Sequence, residues 1–123
     1  MNSFNALKKM AMEEMAKNGV EPRIKYLVDT FNSLPGIFTT SSCGGHEVVD
    51  IPTQSGKDGF NIDFVVSIKK GGWESLKKIT AAAWITGGKN IDIRIWYTPM
   101  NTVAFSIEGK NNASPDLLAS VIS

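Results

Sequence analysis

The sequence predicts an α+β domain of two layers, a mainly antiparallel sheet flanked by helices, in the order ααβββαββα. Three observations predict it. Phe60, Ile62, Phe64, Val66 and Ile68 alternate with Asn61, Asp63, Ser67 and Lys69, so a strand runs over Phe60–Lys69 with one apolar face. Ile91–Tyr97 and Thr102–Glu108 alternate on either side of Thr98-Pro99-Met100-Asn101 and read as a hairpin. Apolar stripes at three- and four-residue steps, bounded by proline and glycine, stand before, between and after these runs. A sheet with one apolar face needs a layer of helices to cover it.

In chain order, residues 3–17 form an amphipathic helix through Phe4, Leu7, Met10, Ala11 and Met15, stopped by Asn18-Gly19. It is rich in methionine, a soft side chain suited to docking, so it offers an interface for a homo-oligomer. Pro22–Leu34 is the second helix. Proline fits its first turn, where the missing N–H has no partner to lose, and Pro35-Gly36 ends it. Ile37–Ser42 and Val48–Ile51 are short strands, and Pro52–Gly59 is a polar loop without an apolar anchor, the best place for a lid. A helix over Trp73–Thr86 carries the stripe Trp73, Leu76, Ile79, Thr80, Ala83 and Trp84 and stops at Gly87-Gly88. Ser114-Pro115-Asp116 is an N-cap with proline behind it, opening a last helix through Leu117, Leu118, Val121 and Ile122.

The chain of 123 residues fits one domain, residues 1–123, and is long enough to fold without disulfides or a structural metal. Its single cysteine excludes an internal disulfide and fits a reducing compartment. No secretory leader and no stretch long enough to span a membrane is present, so the chain reads as cytoplasmic with no membrane partner. A net charge of +1 points neither toward nor away from nucleic acid as a whole-chain property.

The segment Phe38–Glu47, FTTSSCGGHE, concentrates the reactive side chains, including the only cysteine and the only histidine. Cys43 and His46 with Glu47 or Asp50 are metal-ligand types: one cysteine and one histidine nearly exclude a closed four-ligand zinc site, an open catalytic site of a hydrolase completed by the carboxylate stays as a lesser alternative, and on balance no metal is expected. Cys43 with His46 as base is a nucleophile pair lacking an orienting third group. Gly44-Gly45 can also let the backbone approach a ligand, with Thr40, Ser41 and Ser42 adding hydroxyls and the turn's N–H groups cradling an anion. A plain tight turn uses the same glycines. The sheet alternation places Asp63, Ser67, Arg94, Trp96, Ser106 and Glu108 on the face opposite the apolar one, as a ligand face, a solvated face or a dimer interface.

FTTSSCGGH is similar to the YFTTSSCSGR-type motif of the tRNA wybutosine-synthesis methyltransferase family. IKYLVDTFNSLPGIF upstream and NIDFVVSIKKGGWESLKKITAAAWITGG downstream resemble that family more weakly. The resemblance covers roughly residues 22–110, a family-like core between a peripheral helix, 1–18, and a C-terminal helix, 114–123. Only residues 38–45 are motif-grade. It implies a non-Rossmann fold and S-adenosylmethionine-dependent methyl transfer to a tricyclic modified guanosine in tRNA or another nucleotide-like substrate. Thr40, Ser41, Ser42, Cys43 and Gly45 occupy the signature, and Gly44, His46 and Glu47 complete the ligand loop. Trp96 or Trp84 would stack on a flat ring. Lys69, Lys70, Lys77, Lys78 and Arg94 are available to phosphate. The family's arginine after the glycine is His46 here, and imidazole lacks the two-pronged contact of a guanidinium. This marks a divergent relative. The alternative is a non-catalytic oligomerising or ligand-binding module.

Overall fold

The computed structural model describes residues 3–45, 56, 58–96 and 103–123. Its order is α1 (Ser3–Asn18), α2 (Pro22–Ser33), β1 (Ile37–Cys43), β2 (Phe60–Val66), α3 (Gly72–Gly87), β3 (Ile91–Trp96), β4 (Val103–Gly109) and α4 (Pro115–Ile122). The expected α+β class holds, and the described elements follow the expected order. The expected strand Val48–Ile51 and most of the polar loop after it lie outside the described residues, as does the hairpin turn. The described strands form one antiparallel sheet in the order β1-β2-β4-β3.

The core lies between this sheet and α2, α3 and α4. Ile24, Leu27, Val28 and Phe31 of α2 meet Phe60, Ile62, Phe64 and Val66 of β2. Phe64 is the hub: Phe31 stands edge-on to it at 5.0 Å and Phe105 of β4 stacks on it at 5.6 Å. Leu118, Ala119 and Ile122 of α4 close the layer. The Ser114 side chain caps α4 by accepting from the Leu117 N–H at 3.1 Å, a contact that contributes about 1 kcal/mol.

α1 packs along β1, the edge strand. Its Phe4 ring covers Phe38 at 5.2 Å, and Lys8 Nζ donates to the Leu34 carbonyl at 3.2 Å. Burial there pushes the Lys8 ammonium below the ordinary lysine value. The chain leaves α1 through Gly19, whose N–H closes on the Met15 carbonyl at 2.8 Å with φ at +81°. No helix among the described residues is long and apolar enough to cross a membrane.

Three local expectations are revised. The strand expected over Phe60–Lys69 stops at Val66, and Ile68 lies in a 3-10 turn, 59% exposed. The backbone turns there because the Ser67 carbonyl collects the N–H groups of Lys70 and Gly72, while Ser67's own N–H goes to Gly36. α3 is rotated from the expected stripe: Ser75, Leu76, Ile79, Ala82 and Ala83 are buried, while Trp73, Thr80 and Trp84 face out. Small residues at 75, 82 and 83 let α4 and the Pro35-Gly36 turn come close, and Ser75 Oγ donates to the Pro35 carbonyl at 2.6 Å. Met10, expected on the inner face of α1, is exposed.

Candidate functional site

β1 begins in regular register with β2, Ile37 opposite Val66, Phe38 opposite Val65 and Thr39 opposite Phe64. The register then slips, and pairing resumes with Ser41 opposite Asp63, Ser42 opposite Ile62 and Cys43 opposite Asn61. Thr40 is the extra residue of a β-bulge. A bulge bends its strand and re-aims the side chains on either side of it. Here the result is two neighbouring hydroxyls that both bond the same residue of β2. Ser41 Oγ donates to Asp63 Oδ2 at 2.7 Å, and Thr40 Oγ1 reaches the Asp63 carbonyl at 3.3 Å.

The strand before the bulge is pinned to α2. Buried Asn32 accepts from the Thr39 N–H through Oδ1 at 2.9 Å and donates from Nδ2 to Thr39 Oγ1 at 3.0 Å. The Met15 sulfur of α1 lies against both partners, 3.9 Å from Asn32 Nδ2 and 3.7 Å from Thr39 Oγ1.

Between β1 and α1 runs a groove of about 400 Å³. Thr39, Thr40, Ser41 and Ser42 form one wall. The other is built from Ala11, Glu14, Met15, Asn18, Gly19 and Val20, from α1 and the turn after it. Its volume lies within the roughly 300–1,000 Å³ usual for small-molecule sites. One wall is lined with hydroxyls, the other is apolar at Ala11, Met15 and Val20, and the Glu14 carboxylate, which accepts from Asn18 Nδ2 at 3.0 Å, supplies a negative charge.

The glycine pair sits beyond the groove, held from behind by the start of α2. Gly44 is buried, and its N–H donates to Glu21 Oε2 at 3.2 Å. Arg23 Nη1 donates to the Gly44 carbonyl and to the Gly59 carbonyl, the latter at 2.8 Å. Gly45 has φ at +102°, and a Cβ there would lie 2.5 Å from Arg23 Nη1 and 2.6 Å from the Gly59 oxygen. The turn is therefore a packed junction of α2, β1 and the approach to β2. Cys43 is buried beside it. His46 and Glu47 lie outside the described residues. No cluster of three metal-ligating side chains occurs among the described residues.

The remaining candidates are spread across the sheet. Register places Ser41, Asp63, Ser106 and Arg94 in one transverse row over β1, β2, β4 and β3. At about 4.8 Å per strand, Arg94 stands about 14 Å from Ser41. Asn61, Glu108 and Asp92 form the next row, and Trp96 is opposite Ala104. Of the residues expected on the face opposite the core, Asp63, Arg94, Ser106 and Glu108 share it by this register, whereas Ser67 falls outside it because β2 ends at Val66. Lys70 stands apart, in the turn after β2, at the opposite end of that strand from the glycines. The structure thus gathers Thr40, Ser41 and Ser42 in the groove, sets Arg94 in their row, and separates Lys70. Sequence reasoning missed Glu21, Arg23, Asn32 and the wall from α1. Glu21 and Arg23 flank Pro22 and read only as a helix start; nothing local marks them as partners of a turn twenty residues away.

Residues 2–97 match the family described as Methyltransferase TYW3. The chain belongs to this family. The TYW3 match runs from α1 through β3 and so includes the groove, the bulge and the glycine turn. The structure of the PH1069 protein from Pyrococcus horikoshii is similar to this one with a TM-score of 0.58 at 16% identity, covering 98% of this chain and 96% of that one. That likeness is one of fold. No curated protein matches the chain.

Proposed function

We propose that the chain is an S-adenosylmethionine-dependent methyltransferase acting on a modified guanosine of tRNA, with the methyl donor held in the groove between α1 and β1. The observation that carries this reading is the position of the motif. Thr40, Ser41 and Ser42, which stand in the stretch resembling the family's motif, line the groove, and the family match spans them. The donor set fits the cofactor in kind. Hydroxyls suit ribose and the amino-acid end, the apolar wall suits the adenine ring, and Glu14 suits a cationic group.

Bound there, S-adenosylmethionine supplies an electrophilic methyl group on a sulfonium. The protein's contribution is placement. The bulge holds the hydroxyls of Thr40 and Ser41 on Asp63, so their remaining lone pairs have fixed directions, and preorganisation of this kind limits the entropy lost on binding. Asp63, tied to Ser41 through Oδ2, keeps further acceptor capacity for a substrate N–H. The glycine turn, gripped by Arg23 and Glu21, fixes where the chain leaves the groove.

Calorimetry tests this. The wild-type chain is expected to bind S-adenosylmethionine and its demethylated product with micromolar affinity. Ala11→Phe, which fills the groove from α1 without touching the motif, is expected to weaken both by at least about tenfold, the scale of one lost well-packed contact region. Absence of heat with either compound would sink the proposal.

A second reading is a non-catalytic module that oligomerises through α1. Its support is the exposure of Met10 and Met12, 64% and 41%, which stand on opposite flanks of that helix. It predicts a mass that rises with concentration in light scattering, returns to the monomer in Met10→Asp/Met12→Asp, and is accompanied by no donor heat.

A further inference from the structure

The outer face of α3 is not used by the groove, and it combines two features seldom found together on a solvated helix. Trp73 and Trp84 are 52% and 74% exposed, with Ile85 at 71%. At 100° and 1.5 Å per residue, the two indoles fall within about 20° of one another around the helix and about 16 Å apart along it. Lys77 and Thr80 lie between them on the same stripe, and Lys78 stands about 100° further round, beside Ile85 on the exposed side. The second feature is charge. Residues 68–90 hold five lysines, Lys69, Lys70, Lys77, Lys78 and Lys89, against the single acid Glu74, while the chain as a whole is only +1, so the remainder is net negative. All five lysines are exposed, and Glu74 is engaged with Lys77 at 2.9 Å.

We infer that this face docks RNA, with Trp73 and Trp84 as stacking platforms and the lysines as phosphate contacts. The inference rests on the proposed tRNA substrate and adds the surface that would receive it. Exposed aromatic rings set among cations are the physical pattern of sequence-tolerant RNA binding, since every base has a π face and every nucleotide a phosphate. Charge disfavours a second copy of this chain as the occupant. A two-fold axis across the stripe would pass near its midpoint and bring Lys77 close to its own counterpart. A membrane surface fits less well, because polar Lys77 and Thr80 interrupt the apolar strip between the two indoles.

The test is fluorescence anisotropy with an unmodified tRNA transcript, read beside calorimetry with S-adenosylmethionine. Wild-type binding should fall steeply with salt. Lys77→Glu/Lys78→Glu should weaken it at least about tenfold and flatten the salt slope by about one to two. Trp73→Ala and Trp84→Ala should each weaken it about fivefold or more. Donor binding and the thermal midpoint should stay unchanged in all three variants. Wild-type affinity for the transcript in these variants overturns the inference, as do binding to phosphatidylserine vesicles in place of RNA and a dimer lost on Trp84→Ala. A wild-type chain that binds the donor but not the transcript sinks this surface and spares the donor groove, whereas loss of donor heat alone strikes the parent reading.

Discussion

Valine at position 45 is expected to destabilise the chain by on the order of 3 kcal/mol and to lower Tm by about 10 °C. Gly45 has φ at +102°, where an L side chain is strained, and a β-branched one most of all. The new Cβ would also press on Arg23 Nη1 and on the carbonyl oxygens of Gly59 and Gly56. The guanidinium can swing away, but the two carbonyls are backbone and would have to move with their segment. Gly45→Ala should cost somewhat less, because alanine keeps the backbone strain and lacks the branch. A double-mutant cycle with Arg23→Ala separates the causes: the part due to Arg23 disappears in that background and the backbone part stays. The donor affinity should fall too, since the turn sets the end of the strand that walls the groove. Denaturant melts of the four proteins provide the check. An unchanged midpoint for Gly45→Val would show that the turn is not held as described.

The second large effect is expected at Asn32. Asn32→Ala removes both bonds to Thr39 and leaves the Thr39 N–H buried beside a cavity. A buried unpaired donor costs about 1–3 kcal/mol, and the lost amide packing adds to it, so roughly 3 kcal/mol is expected in all. Asn32→Asp should recover little. It restores the acceptor for the N–H, but it loses the donor to Thr39 Oγ1 and buries a charge. Thr39 stands immediately before the bulge, so amide exchange should accelerate first at Thr39–Ser42, ahead of the Phe64 core. If Asn32→Ala melts within about 0.5 kcal/mol of the wild type, the link between α2 and the groove wall is not structural.

These two positions show how far local pattern reaches. Pro22, Pro35-Gly36, Gly87-Gly88 and Ser114-Pro115 mark helix boundaries through constraints acting within a few residues, and each boundary falls near its expected place. The alternation of Phe60 to Val66 is equally local, and it names the core side of β2 correctly. Asn32 and Gly45 could be read as a helix end and a turn. That one accepts and donates across to Thr39, and that the other backs onto an arginine of α2, has no signature in the neighbouring residues.

The tryptophans of α3 mark the limit from the other direction. A stripe through Trp73, Leu76, Ile79, Thr80, Ala83 and Trp84 satisfies helical periodicity and places the largest apolar groups inside. The structure prefers the narrower face through Ser75, Leu76, Ile79, Ala82 and Ala83. Periodicity reports how many apolar residues share a side. It does not report how closely the opposing elements approach, and here Ser75 bonds the Pro35 carbonyl while α4 lies against α3.

The amino-acid sequence by itself determined the α+β class, the succession of helices and strands, and the motif that ties the chain to its family. Propensity, caps and alternation act between near neighbours and need no knowledge of the rest of the fold. Tertiary structure alone decided where the bulge falls, which side of α3 meets solvent, and that α1 and β1 enclose a groove. Arg23 shows the physical reason: it bonds Gly59 across 36 residues, and a contact at that range exists only once the sheet has brought its ends together.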